Sequence, residues 1–150
     1  SQGTRAHQLA MYVVYESPLV MASDYPEAYE GQPGVEFIEK VPTVWDETRF
    51  LAGEPAQYVA LARKKGDGWY VGAMTNWEAR TLDLPLGFLG AGEYEATIFT
   101  DGPDAATEGT SLEIVRKRVT SGDRLTLKLA PGGGAAVLIG VVLIGVGPQK

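Results

Sequence analysis

"YVALARKKGDGWYVGAMT", residues 58–75, decides how the rest of the chain is read. Two β-rich runs, Tyr58–Arg63 and Trp69–Met74, flank the charged, glycine-containing link from Lys64 to Gly68. That grammar is a hairpin, closed through a bulge or a longer loop. Toward the C-terminus the same language continues. Leu82, Leu84 and Leu86 alternate with polar or small residues, and Gly90-Ala91-Gly92 turns the chain into a strand over 93–100. A loop over 101–110 follows, then the runs 112–119 and 124–129, which read as a second hairpin about Thr120-Ser121-Gly122-Asp123. Residues 135–139 supply a last strand. Six to eight short strands with frequent turn signals predict an antiparallel sandwich or barrel.

Toward the N-terminus the language changes. Thr4 can cap a helix from Arg5 to about Tyr15 that is apolar nearly all round from Leu9 onward, and Ser17-Pro18 stops it. Leu19–Ala22 is apolar without alternation, as a strand buried on both faces reads, and it ends at Ser23-Asp24. A loop marked by Pro26 and by Gly31 to Gly34 leads to Val35, Phe37, Ile38 and Val41, spaced for a short amphipathic helix that Pro42 ends. The organisation is bipartite: helix, buried strand and helix over residues 1–42, and an all-β module over 43–150. In the tail, Val137–Gly140 is echoed by Val142–Gly145; two copies of four residues make no repeat architecture, and an additional edge strand is the expectation.

Composition narrows the function. The 150 residues carry 13 basic and 19 acidic side chains and a net charge of −6, which leaves no electrostatic footprint for a nucleic-acid backbone. With no cysteine there is no disulfide, thiolate metal site or cysteine nucleophile. The longest apolar run, 135–147, is broken by glycines and falls short of the roughly 20 residues a spanning helix needs. No export leader stands at the N-terminus, so any such signal is expected to have been removed or to belong to a longer precursor. His7, the single histidine, lacks the companions of a metal site or a catalytic triad and reads as a hydrogen-bonded helix residue. Gly132-Gly133-Gly134 has no following Lys-Ser/Thr and is no phosphate loop. Asp101 and Asp104 lack the further oxygen ligands of a calcium loop and read as a turn. Trp69, Tyr70 and Trp77 either form a sugar-stacking platform or pack a core, so a non-catalytic carbohydrate-binding module is the alternative function.

Three stretches carry a family resemblance: 3–19 (GTRAHQLAMYVVYESPL), 41–48 (VPTVWDET), and 58–63 continuing to 69–77 (YVALAR, WYVGAMTNW). With them the chain, from about residue 3 to about 139, resembles the C-terminal end of glycoside hydrolase family 97, the α-glucosidase and α-galactosidase family. The last eleven residues depart from the family pattern.

The resemblance implies a mainly β fold: a C-terminal antiparallel β-sandwich over 43–150 that serves packing or oligomerisation, preceded over 1–42 by the last helix, strand and helix of a (β/α)8 catalytic barrel. Cleavage of a glycosidic bond takes two carboxyl groups set across it. The family's catalytic glutamates, and the glutamates that hold its calcium ion, are expected upstream of Gly3, so the chain alone is expected to be inactive and to hold neither catalytic nor metal-binding residues. Asp24 would close the last barrel strand, with Tyr25 beside it, and both are candidates for the substrate rim. The competing account of Asp24 is a loop cap. Trp45 would plug the seam between barrel and sandwich, stacking on sugar being the alternative, with Asp46 and Glu47 beside it; if residues 45–48 are extended, these two acids project oppositely and cannot share a substrate. Glu27 and Glu30 suit a solvated turn. The implied partners are the remainder of the barrel, a possible second copy and, in the whole enzyme, a carbohydrate; a periplasmic or secreted location is implied for that enzyme.

Overall fold

A computed structural model describes residues 3–15 and 34–142. Helix α1, Arg5–Val14, starts where expected, because the Thr4 backbone is extended and its Oγ1 accepts the His7 N–H at 3.1 Å. Helix α2, Val35–Lys40, follows Gly34, whose φ of 99° only glycine adopts easily. The expected strand 19–22 lies outside the described residues.

Eight strands make up the rest: β1 Glu47–Glu54, β2 Tyr58–Lys65, β3 Gly68–Thr75, β4 Arg80–Pro85, β5 Tyr94–Asp101, β6 Leu112–Val119, β7 Arg124–Leu129 and β8 Gly134–Val141. They form an antiparallel six-stranded sheet in the order β1-β2-β3-β8-β5-β6, with a two-stranded sheet, β4-β7, facing it. The expected mainly β sandwich is present.

Two local expectations are corrected. The β2–β3 hairpin pairs as far as Lys65 and Gly68, so its loop is the two residues Gly66 and Asp67, without a bulge. Gly66, at φ 59°, supplies the left-handed first position of a primed turn, whose twist matches that of the strands. Strands β6 and β7 do not form a hairpin: β6 pairs with β5 and β7 with β4, so residues 120–123 carry the chain from one sheet to the other. Burial is the reason. Leu125, Leu127 and Leu129 form one apolar face on β7, matched by Leu82 and Leu84 on β4, and that face must cover the large sheet rather than extend it.

The inner core sets these leucines against Trp69, Val71, Val137 and Ile139 of the large sheet's central strands. The outer face of that sheet is covered by the helices: Leu9, Tyr12 and Val13 of α1 and Phe37 of α2 pack on Tyr70, Phe99 and Ala136. Phe37 meets Tyr70 and Phe99 edge to face, with ring centroids 6.0 and 5.5 Å apart. Helix α1 sits close to the sheet. A Cβ on Gly72 would lie 2.9 Å from Val13 Cβ and 3.0 Å from the Ala10 carbonyl. The tail's first motif is no edge: Val137–Gly140 runs through β8, between β3 and β5. Most of its echo, residues 143–145, lies outside the described residues.

Candidate functional site

Strand β5 ends on Asp101, and burial there determines what its carboxylate does. Oδ1 accepts the Thr4 hydroxyl at 2.6 Å, and Oδ2 accepts the backbone N–H groups of Ala130 at 2.7 Å and Gly134 at 3.1 Å. Desolvation pushes its pKa above the usual carboxylate range, and the three hydrogen bonds pull it back. The same Thr4 hydroxyl caps α1, so one acid ties the helix to the loop between β7 and β8. Asp101 is the only buried carboxylate among the described residues, and its acceptor sites are engaged. Reading residues 101–104 as a turn missed this role. The only local signal was an acid closing a β-rich run, since Thr4 is 97 residues away. Asp104 does lie in a turn, its carbonyl accepting the N–H groups of Thr107 and Glu108.

The other candidates are scattered. Asp24, Tyr25, Glu27 and Glu30 lie outside the described residues. Trp45 is half-buried on the outer face, edge-on to Tyr70 at 5.2 Å, with the Arg63 guanidinium 5.9 Å from its ring. Its indole nitrogen is buried without a hydrogen-bond partner. Asp46 accepts the Gly66 N–H at 2.8 Å and pairs with Lys65, clamping the β2–β3 turn. Glu47 pairs with Arg49 along its own strand. The two neighbouring acids thus serve separate partners. His7 differs from expectation: its backbone is bonded, but its Nδ1 is buried with no partner, and desolvation lowers its pKa.

The three aromatics share no face. Trp69 points into the inner core against Phe88, at 4.7 Å. Tyr70 points to the helices and donates its hydroxyl to the Lys40 carbonyl at 3.2 Å, burial raising its pKa. Trp77 is 66% exposed and lies beside Gly132. A stacking platform needs coplanar neighbours, and period-two alternation alone separates Trp69 from Tyr70.

Two of the surface depressions among the described residues lie beside these elements. One, of 600 Å³, is lined by His7, Tyr15, Phe50, Tyr58 and Met74 beside α1. The other, of 810 Å³, opens where the small sheet stops at β7 and leaves Glu113, Val115 and Lys117 of β6 uncovered. Among the described residues no three His, Asp or Glu side chains could together hold a metal ion. No helix among these residues is long and apolar enough to cross a membrane.

Comparison with known proteins places this architecture. Residues 44–140 match the family model described as glycosyl-hydrolase 97 C-terminal, oligomerisation. A retaining α-galactosidase of Bacteroides thetaiotaomicron is 45% identical over 140 residues, which are 93% of this chain and 21% of that protein. A probable retaining α-galactosidase of Streptomyces bingchenggensis is 34% identical over 89% of this chain and 20% of its own length. Among solved structures, a glycoside hydrolase family 97 enzyme from Pseudoalteromonas sp. strain K8, in complex with acarbose, superposes with a TM-score of 0.81 at 36% identity, covering 95% of this chain and 23% of that one. A β-arabinopyranosidase superposes with a TM-score of 0.71 at 30% identity, covering 91% of this chain and 21% of that one. The chain spans about a fifth of the curated relatives it matches. The chain belongs to glycoside hydrolase family 97, and residues 44–140 form the family's C-terminal oligomerisation domain.

Proposed function

We propose that this domain is the packing and assembly module of a retaining α-glycosidase, and that it contributes no catalytic carboxylate. The observation that carries the reading is the state of Asp101. A retaining glycosidase sets two carboxyl groups about 5 to 5.5 Å apart across the scissile bond. The one buried acid among the described residues is instead consumed by a hydroxyl and two backbone amides. The catalytic pair and the calcium ligands then belong to a barrel outside the described residues, which docks on this module and takes the carbohydrate. α-Galactosides are the favoured substrates of the whole enzyme, from the names of its two curated relatives. A periplasmic or secreted location suits an enzyme acting on external sugars.

Purified chain should release no p-nitrophenol from p-nitrophenyl α-galactoside or α-glucoside, and its mass by light scattering should rise with concentration. Hydrolysis that co-purifies with the chain and is lost in Asp101→Asn would overturn the first half. A constant monomer mass would overturn the second.

A further inference from the structure

We infer that β6 is the edge through which two copies of this domain join, in one register centred on Val115, so that two six-stranded sheets become one of twelve strands across a two-fold axis. This rests on the assembly reading above and names its surface. The large sheet has two free edges among the described residues, β1 and β6. Edge β1 is blunted: its pairing with β2 slips between Phe50 and Ala52, and such a bulge twists an edge away from new partners. Edge β6 is regular, each residue from Leu112 to Val119 having a partner on β5 with no slip.

Charge selects the register. Glu113, Val115 and Lys117 stand on the inner face, opposite Thr100, Ile98 and Ala96 of β5. They overhang the 810 Å³ cleft beyond β7, and neither Glu113 nor Lys117 has an ion-pair partner among the described residues. The two are four residues apart on one strand, about 13 Å at the rise of an extended chain, too far to pair with each other. The basic residues of the outer face are already matched, Arg116 to Glu36 at 3.2 Å and Arg118 to Glu93 at 2.9 Å.

A two-fold axis perpendicular to the sheet pairs β6 antiparallel with its copy and keeps inner residues on the inner face. Centred on Val115, it sets Val115 opposite itself and Glu113 opposite Lys117 of the second copy, twice over. Directly opposed side chains in such pairs have Cβ atoms about 4.5 to 5.5 Å apart, within reach of an ion pair. On the outer face Ile114 meets the Arg116 stem and Leu112 the Arg118 stem, so no like charges are opposed. Shifting the centre to Arg116 sets two guanidinium groups face to face. Shifting it to Ile114 leaves Glu113 opposite Val115 and separates the ion pairs. An isologous contact of this kind closes after two copies and builds no fibre.

The test is sedimentation equilibrium of the 150-residue chain at low salt, with circular dichroism confirming that each variant is folded. Glu113→Lys and Lys117→Glu should each raise the dimer dissociation constant at least about tenfold, since each sets like charges opposite one another at two sites. The double variant E113K/K117E should restore it to within about threefold of the starting value, because the swapped pair is again complementary. The chain has no cysteine. V115C should therefore cross-link to a dimer on mild oxidation, while T48C on the other edge should not. A wild-type dimer that neither reversal weakens would overturn the β6 interface and leave the assembly reading standing. A wild-type chain monomeric at every concentration would overturn both.

Discussion

The carboxylate of Asp101 receives hydrogen bonds from a helix cap and from both ends of the β7–β8 loop, so its loss reaches three elements at once. Asp101→Asn keeps the shape, but both amides share Oδ2, so the variant either keeps its oxygen on them and turns its own amide N–H toward the Thr4 hydroxyl, which loses its acceptor, or keeps the Thr4 bond and loses both amides. Thermal or urea unfolding should show a loss of about 2 to 3 kcal/mol, the usual cost of an unmet hydrogen bond to a charged group. Asp101 and His7, the two groups at this end of the molecule whose pKa desolvation shifts, act in opposite directions on pH dependence. Asp101 has its pKa raised by burial, so what it contributes is fully present below the unfolded value and lost as pH rises through the folded one. His7 has its pKa lowered by burial, so the unfolded chain binds the proton first. Its contribution is present above the ordinary histidine value near 6.5 and is lost as pH falls through the folded one. Unfolding free energy should therefore decline on acidification from about pH 7 to about pH 5, and His7→Gln should flatten that slope, His7 being the single histidine. An unchanged slope in the variant would assign the decline to other groups.

Helix α1 shows what could be read locally and what could not. Its start was legible because a cap is a short-range signal, Thr4 reaching His7 three residues on. Its seat was not, because the space for it lies on β3, where Gly72 lets the helix backbone approach. Gly72→Ala should push α1 outward and cost about 1 to 3 kcal/mol, as over-packing of a close contact does, measurable by urea denaturation. Strand β2 and strand β3 were plain in the sequence, since turn and strands lie together. Strand β1 was not resolved as an element: Glu47–Glu54 shows no apolar-polar alternation, being an edge with one slipped position. The β6–β7 hairpin was misread for a related reason. A tight turn at 120–123 is compatible both with a hairpin and with a crossing between sheets, and only the partner strands, β5 and β4, distinguish the two.

At the scale of the whole molecule, the pattern of alternating leucines announced a sandwich but not its asymmetry, six strands against two. The small sheet depends on its leucines for cohesion, with Leu84, Leu125 and Leu127 buried to 1% exposure. Leu127→Ala should cost about 2 to 5 kcal/mol and lower the melting temperature in one cooperative step, as large-to-small core changes do. The candidate site was less legible than the fold. The resemblance directed attention to Asp24 and Trp45, while the acid that holds the domain together draws its partners from residues 4, 130 and 134.

The unequal layers also set where the molecule opens to solvent. Strands β3 and β8 lie mid-sheet, roofed by α1 on one side and floored by β4 and β7 on the other, whereas β1 and β6 have a neighbour on one flank alone. In deuterium the amides should label from the rims inward, with Val71 and Val137 the last to exchange and only by opening of the entire domain. If the second copy sits on β6, that rim alone should slow as protein concentration rises, while β1 keeps its rate.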